Sequence, residues 1–174
     1  MRKKHSILIL SLICIFLFGC GNANNFKKDF ELVNINEGNS GTSIELNGMG
    51  GLPLANGRIS NDILTARKYL YGNLTIYYRL FYQRMSAGYN ISPQRITFLI
   101  DGQKYIVAFL GSDKSDGSEL AWVNVEPSFL KKIANAKEVL LRVEGTDRAV
   151  DYAFNEKYLY FFKRFYKECV LSEK

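Results

Sequence analysis

Histidine and cysteine are the scarcest reactive residues in this chain. Its 174 residues include one histidine, His5, and three cysteines, Cys14, Cys20 and Cys169. Beyond residue 20 the sequence therefore keeps Cys169 as its one cysteine and has no histidine. If the first residues are removed, histidine-based catalytic triads, histidine zinc sites, histidine pH switches and internal disulfides are all excluded.

Long hydrophobic runs are also missing. The one sustained apolar run, residues 7–18, follows the basic residues at 2–5 and ends in a small residue, Gly19. Crossing a bilayer as a helix takes roughly 20 apolar residues, and this run is too short for that. Its order of charge, apolar run and small residue is typical of a secretory signal peptide, which we assign to residues 1–19.

The end of this leader carries a recognisable motif. Leu17-Phe18-Gly19-Cys20 resembles the lipobox of bacterial lipoproteins. The resemblance implies that the chain is cut before Cys20 and that the thiol of Cys20 carries diacylglycerol, with acyl chains such as palmitate. It also implies a lipid-anchored protein outside the cytoplasm, in the cell membrane or, because Gly21 and not Asp follows the cysteine, the outer membrane. It covers the leader alone, and no family is identified for the mature domain.

Charge of one sign does not dominate the mature chain. The full sequence has 23 Lys and Arg against 17 Asp and Glu, and cleavage before Cys20 removes three of these cations, which leaves a net charge of +3. This value is ordinary for a soluble surface and does not mark a nucleic-acid binder. We expect no nucleic-acid partner, no cofactor and no metal site.

The remaining sequence divides into a polar start and a β-rich body. Residues 20–57, rich in asparagine and glycine, read as the lipidated cysteine and a flexible spacer that contains two short candidate strands at 30–35 and 42–46. Residues 58–174 read as a single globular domain. The predicted fold class is α+β, predominantly antiparallel β in a two-layer sheet or sandwich.

Two hairpins are predicted from their turns. Residues 63–71 and 74–85 flank Gly72-Asn73, and a two-residue loop there sets Tyr69 opposite Ile76. A helix over 59–70, capped by Ser60, is the open alternative for the first of these strands.

The second hairpin, over residues 95–110, turns at Asp101-Gly102, which places Phe98 opposite Tyr105. Both of its faces are substantially apolar, so we expect a sheet covered on both sides. The polar residues 112–117 then read as a solvated turn, and 119–126 as another strand.

Two helices complete the prediction. Pro127 favours a short helix near 128–135, and strands are predicted at 137–144 and 149–154. A C-terminal amphipathic helix over 156–170, capped by Asn155, carries an aromatic stripe opposite a basic side. The stripe fits docking on the sheet, with an interfacial membrane helix as the alternative.

The candidate binding surface is the strand at 74–85. Tyr77, Arg79, Phe81 and Arg84 interleave aromatic and basic side chains along it. Tyrosine and arginine are favoured anchors at protein interfaces, so a protein-binding surface is the functional interpretation, and an ordinary half-buried strand is the alternative.

These observations predict a membrane-anchored lipoprotein of the cell envelope that acts without catalysis, as a binding or structural module for an envelope protein or polymer. One alternative function is a carrier of lipid or a small apolar ligand. The other is an envelope glycan hydrolase, which would need a pair of carboxylates such as Glu119 with Asp116 or Glu144 with Asp147. We identify no catalytic residue, since neither pair has an activating partner in the sequence.

Overall fold

A computed structural model of the chain describes residues 31–36, 38, 41–47, 50–72, 74–85, 91–115 and 117–172. The leader, Cys20 and residues up to 30 lie outside this part of the chain. The strands are β1 (Glu31–Asn36), β2 (Thr42–Asn47), β3 (Ile63–Tyr71), β4 (Leu74–Met85), β5 (Pro93–Ile100), β6 (Gln103–Ala108), β7 (Gly111–Ser115), β8 (Ser118–Val125), β9 (Val139–Gly145) and β10 (Ala149–Ala153). The helices are α1 (Pro127–Asn135) and α2 (Glu156–Phe165), and a π-helical turn, Tyr166–Val170, continues α2.

The strands form two antiparallel sheets. The larger has the order β1-β2-β3-β4-β8-β7, and the smaller has the order β10-β9-β5-β6. One hydrophobic core joins the inner face of each sheet to the apolar sides of α1 and α2. The predicted fold class, a predominantly antiparallel two-layer β fold with two short helices, is confirmed.

Aromatic rings fill much of this core. Phe98 meets Phe129 of α1 edge to face at 5.1 Å between centroids, and Phe154 stacks on Phe162 of α2 at 5.5 Å. Such ring pairs add to the free energy gained from burying apolar area. The core residues with the largest fully buried side chains are Tyr82, Tyr152, Tyr158, Phe98, Phe161, Phe162, Phe165, Leu46, Leu52, Leu64, Leu80 and Ile91.

The β3–β4 hairpin forms, but in a different register from the predicted one. Tyr71 pairs with Leu74 as the two-residue loop requires, and a bulge between Tyr69 and Leu70 then shifts the ladder by one residue. As a result Tyr69 lies opposite Tyr77, and the predicted pairing with Ile76 is wrong. The alternative helix over 59–70 is also wrong, since residues 63–71 are strand.

The β5–β6 hairpin matches its prediction. Phe98 pairs with Tyr105, and both turn residues, Asp101 and Gly102, have positive φ angles, 46° and 83°. This is the backbone of a type I′ turn, whose twist matches that of the flanking strands. The expectation that the sheet is covered on both faces is wrong, because Ile106 on the second face is 57% exposed.

The polar regions of the sequence are more ordered than predicted. Residues 31–36 and 42–47 pair as β1 and β2 and extend the larger sheet beside β3, so the folded body described here begins well before residue 58. Leu46 and Leu52 are fully buried in the core. The segment predicted as a solvated turn instead provides β7, a polar edge strand paired with β8.

The helices follow their predictions closely. Asn155 caps α2 by accepting a hydrogen bond from the backbone N–H of Tyr158 at 3.0 Å. The stripe of Tyr158, Phe161, Phe162 and Phe165 is buried against the sheets, so docking on the sheet is confirmed for this helix. Within the described residues, no helix combines the length and apolarity needed to cross a membrane.

Candidate binding surface on the larger sheet

The outer face of the larger sheet carries most of the predicted surface. Alternation along β4 puts Tyr77, Arg79 and Phe81 on the face that points away from the core. Their cross-strand neighbours on β3 are Tyr69 opposite Tyr77 and Arg67 opposite Arg79. We define these five residues as the arginine–aromatic face.

Arg79 lies at the centre of this face. Its Cζ atom is 4.9 Å from the ring centroid of Tyr77, 5.2 Å from that of Tyr69 and 5.8 Å from that of Phe81. Its Nε–H donates to Oδ1 of Asn124 on β8 at 3.0 Å. Three ring contacts and one hydrogen bond therefore fix the plane of the guanidinium before any ligand arrives.

A bulge in β4, where Ile76 is the extra unpaired residue, creates this arrangement. Because directly opposed residues share a face, the shifted register brings the rings of Tyr69 and Tyr77 together, stacked at 4.5 Å with an interplanar angle of 21°. In the predicted register Arg67 would have faced Tyr78, which the structure places in the core. The extra residue is the feature that the turn sequence alone did not reveal.

Arg67 has a different role from Arg79. Its Nε–H donates to Oε2 of Glu45 at 2.6 Å, and its Cζ lies 4.5 Å from the centroid of Phe81. Desolvation by burial acts to lower the pKa of Arg67, but the charges and hydrogen bonds of Glu45 and Tyr69 together outweigh it and the pKa is raised. The charge of Arg67 is thus balanced within the fold, and its guanidinium packs on the ring of Phe81, which Arg79 also contacts.

Arg84 does not belong to this surface. Its position on β4 points it to the opposite face, where its Nη1 lies 3.2 Å from Oδ2 of Asp62 and its side chain is 15% exposed. The sequence showed that the two arginines share a strand, but five positions along a strand place them on opposite faces. The predicted set Tyr77, Arg79, Phe81 and Arg84 therefore loses Arg84 and gains Arg67 and Tyr69.

The carboxylate that holds Arg84 also organises a buried polar cluster. The hydroxyl of Tyr152 donates to Oδ2 of Asp62 at 2.5 Å and lies 2.6 Å from the hydroxyl of Tyr82. Desolvation raises the pKa of Tyr82 to about 12 and also raises that of Tyr152. We define these four residues, Asp62, Tyr82, Arg84 and Tyr152, as the tyrosine cluster; both hydroxyls stay neutral at physiological pH.

Two of the four candidate hydrolytic carboxylates, Glu119 and Glu144, form structural contacts. Glu119 is 1% exposed, and its two oxygens accept backbone N–H groups from Ile91 at 2.8 Å and Ser92 at 2.9 Å. Glu144 forms ion pairs with Arg95 and Arg142 on the outer face of the smaller sheet. Asp116, the proposed partner of Glu119, lies outside the described residues.

The other sequence predictions were lipid attachment at Cys20 and the absence of a metal site. The described residues contain no group of three or more histidine, cysteine, aspartate or glutamate side chains that could hold a metal ion. Cys20, the predicted lipid attachment site, lies outside the described residues. Cys169 is buried, and desolvation raises the pKa of its thiol to about 12, so it has the character of a small core side chain.

Known proteins offer no guide to this surface. No protein-family model, curated protein or solved structure matches the chain. Any function proposed for it therefore rests on the leader motif and on the geometry of the arginine–aromatic face.

Proposed function

We propose that this protein is a non-enzymatic binding module, held on the outer side of a bacterial membrane by lipid on Cys20, that docks a protein partner on its arginine–aromatic face. The observation that carries the proposal is the state of Arg79. This side chain is ordered by three rings and Asn124, yet it forms no ion pair with any described residue.

Four other arginines differ from Arg79 in this respect. Arg67, Arg84, Arg95 and Arg164 each lie against a carboxylate, so their charges are balanced inside the fold. The guanidinium of Arg79 uses Nε for Asn124, and the hydrogens on its two Nη atoms remain for a ligand. A planar, fixed pair of donors matches a carboxylate in two-point contact.

The surrounding rings favour a protein ligand. Tyr77 and Arg79 are half-buried, so they present surface to a partner while the rings of Tyr69 and Phe81 support them from below. Tyrosine and arginine dominate the energetics of protein interfaces, especially where they are ordered in advance and lose little entropy on binding. A partner that offers a carboxylate flanked by apolar groups would complement this face.

The anchor is supported by the leader. The basic start, the apolar run of residues 7–18 and Leu17-Phe18-Gly19-Cys20 form the complete pattern of a lipoprotein signal. Ten residues, 21–30, separate Cys20 from β1, and a chain of that length spans at most about 35 Å. The domain would therefore stay close to the bilayer that holds its acyl chains.

A crosslinking experiment on intact cells tests the binding proposal. A photoreactive amino acid at position 77 should capture one protein partner, and Arg79→Glu in the same chain should abolish the capture. Arg58→Glu is the matched control, since it reverses an exposed arginine that lies outside the larger sheet and forms no ion pair with any described residue, and it should leave capture unchanged. Failure to capture any protein, or equal capture with Arg79→Glu, would refute this role for the face.

A further inference from the structure

The two helices concentrate the positive charge of the mature protein. α1 carries two lysines and no acid, and α2 with its π-helical turn carries three lysines and one arginine against two glutamates. Six cations and two acids give the helices a net charge of +4, which is more than the net charge of +3 that cleavage before Cys20 leaves for the whole mature chain. The rest of the mature chain is therefore slightly acidic, and the helices form its basic side.

The cations face solvent because the apolar sides of both helices are buried in the core. Lys131, Lys132, Lys163 and Lys167 are exposed. We define these four lysines as the basic helical surface. Against these cations α2 and its π-helical turn carry two acids: Glu168 is paired with Arg164 at 2.7 Å, and Glu156 lies in the first turn, so Lys163 and Lys167 remain without an acidic partner among the described residues.

A groove runs along this surface. Tyr160, Lys163, Arg164, Lys167 and Glu168 line a depression of about 360 Å³. A second depression, at the end of α1, shares Tyr160 and Lys163 with the first, and Glu156 also lines it. The first depression is lined by three cations and one acid, a charge balance that suits the phosphate of a lipid headgroup.

We propose that the basic helical surface binds the anionic phospholipid headgroups of the membrane to which Cys20 is tethered. The inference rests on the proposed lipid anchor, which keeps the domain within about 35 Å of the bilayer. Lysine side chains are attracted to an anionic leaflet only within about a Debye length, roughly 8–10 Å at physiological salt. The tether keeps the domain close to the bilayer, and the charge distribution determines which side of the domain faces the bilayer.

This orientation agrees with the proposed docking face. The hydroxyl of Tyr78 on β4 donates to the backbone carbonyl of Cys169 in the π-helical turn at 3.4 Å, so the end of α2 packs against the inner side of the larger sheet. The neighbouring residues Tyr77 and Arg79 point to the other side of that sheet. Placing the helices on the membrane therefore directs the arginine–aromatic face away from it.

Lysine labelling on vesicles tests the inference. The native protein, purified from membranes in detergent, is reconstituted in vesicles of phosphatidylcholine alone or of phosphatidylcholine with 30% phosphatidylglycerol, and the acylation rate of each lysine is measured by mass spectrometry. We expect Lys163 and Lys167 to react about fivefold more slowly on the anionic vesicles, and 0.5 M salt to remove the difference. Lys104, exposed on the smaller sheet, is the internal control and should react equally on both.

The outcomes separate the inference from the anchor. Equal rates for Lys163 and Lys167 on both vesicles, in a protein that floats with both, would overturn the inference and would favour an acidic protein as the partner of this surface. Flotation only with anionic vesicles, lost in Lys163→Glu/Lys167→Glu but not in Lys104→Glu, would support the basic helical surface while contradicting the anchor. A protein that floats with neither would contradict both.

Discussion

At Asp62 one carboxylate joins groups from three segments of the chain. It accepts a hydrogen bond from Tyr152 on β10, pairs with Arg84 on β4, and itself lies just before β3. Tyr82 completes the cluster through the hydroxyl of Tyr152. Both sheets are therefore tied together by polar contacts as well as by the apolar core, and within the described residues no fully buried side-chain nitrogen or oxygen lacks a hydrogen-bond partner.

Removing one hydroxyl from this cluster should have a measurable cost. Tyr152→Phe keeps the ring but leaves Asp62 and Tyr82 each without one hydrogen-bond partner in a buried site. We expect the free energy of unfolding to fall by about 1–3 kcal/mol, measured by urea denaturation. Tyr71→Phe, at a ring that is 65% exposed, should change it by less than about 0.5 kcal/mol; equal effects of the two variants would show that the tyrosine cluster contributes nothing.

Contacts of this kind could not be predicted from the sequence. Tyr152 and Asp62 lie 90 positions apart, and Glu119 lies 28 positions from the backbone N–H of Ile91 that it accepts. Nothing in the sequence around Asp62 or Glu119 distinguishes them from solvated carboxylates. The sequence alone therefore favours an exposed Glu119. By contrast, Tyr77, Arg79 and Phe81 were found because strand alternation is a local property.

For the hairpins, the residues of the turn determined how well the strand register could be predicted from the sequence. Asp101-Gly102 fixes the register of β5 and β6 because both residues adopt the positive φ angles that a type I′ turn requires. Gly72 likewise places the β3–β4 loop, but the bulge at Tyr69 and Leu70 has no such signature. The register of β3 and β4 therefore could not be predicted from the sequence. The contribution of Tyr69 to the binding surface, which depends on that register, could not be predicted either.

The turn itself can be tested by adding one methyl group. Gly102 has φ of 83° with open space around it, so Gly102→Ala introduces backbone strain without a steric clash. We expect a loss of about 1 kcal/mol in the free energy of unfolding, followed by thermal or urea denaturation. Gly50→Ala is the control, because Gly50 also has open space but no positive φ; a loss as large there would contradict the explanation from backbone conformation.

For the molecule as a whole, burial of acidic hydroxyl and thiol groups predicts sensitivity to alkali. Desolvation raises the pKa of Tyr82 from 10.0 to about 12, and it raises the pKa of Tyr152 and Tyr158 as well. Because the folded state holds these groups neutral, the stability they contribute is complete below pH 10 and is lost as the pH rises toward the folded pKa.

The free energy of unfolding should accordingly fall between pH 10 and pH 12, by up to about 1.4 kcal/mol per pH unit for each such group. Urea denaturation across this range measures the slope of the free energy of unfolding against pH, and Tyr82→Phe should reduce this slope by the contribution of one group. A slope unaffected by that substitution would show that Tyr82 ionises as freely in the folded protein as in the unfolded chain.

The placement of the whole molecule depends on Cys20. Lipidation there would fix the compartment, remove the single histidine, set the net charge at +3 and hold the basic helical surface near a bilayer. The most direct measurement is the intact mass and N-terminal peptide of the native protein extracted from membranes. We expect a chain that begins at Cys20 with acyl chains on that residue; a native protein that retains Met1 and an unmodified Cys20 thiol would contradict the account.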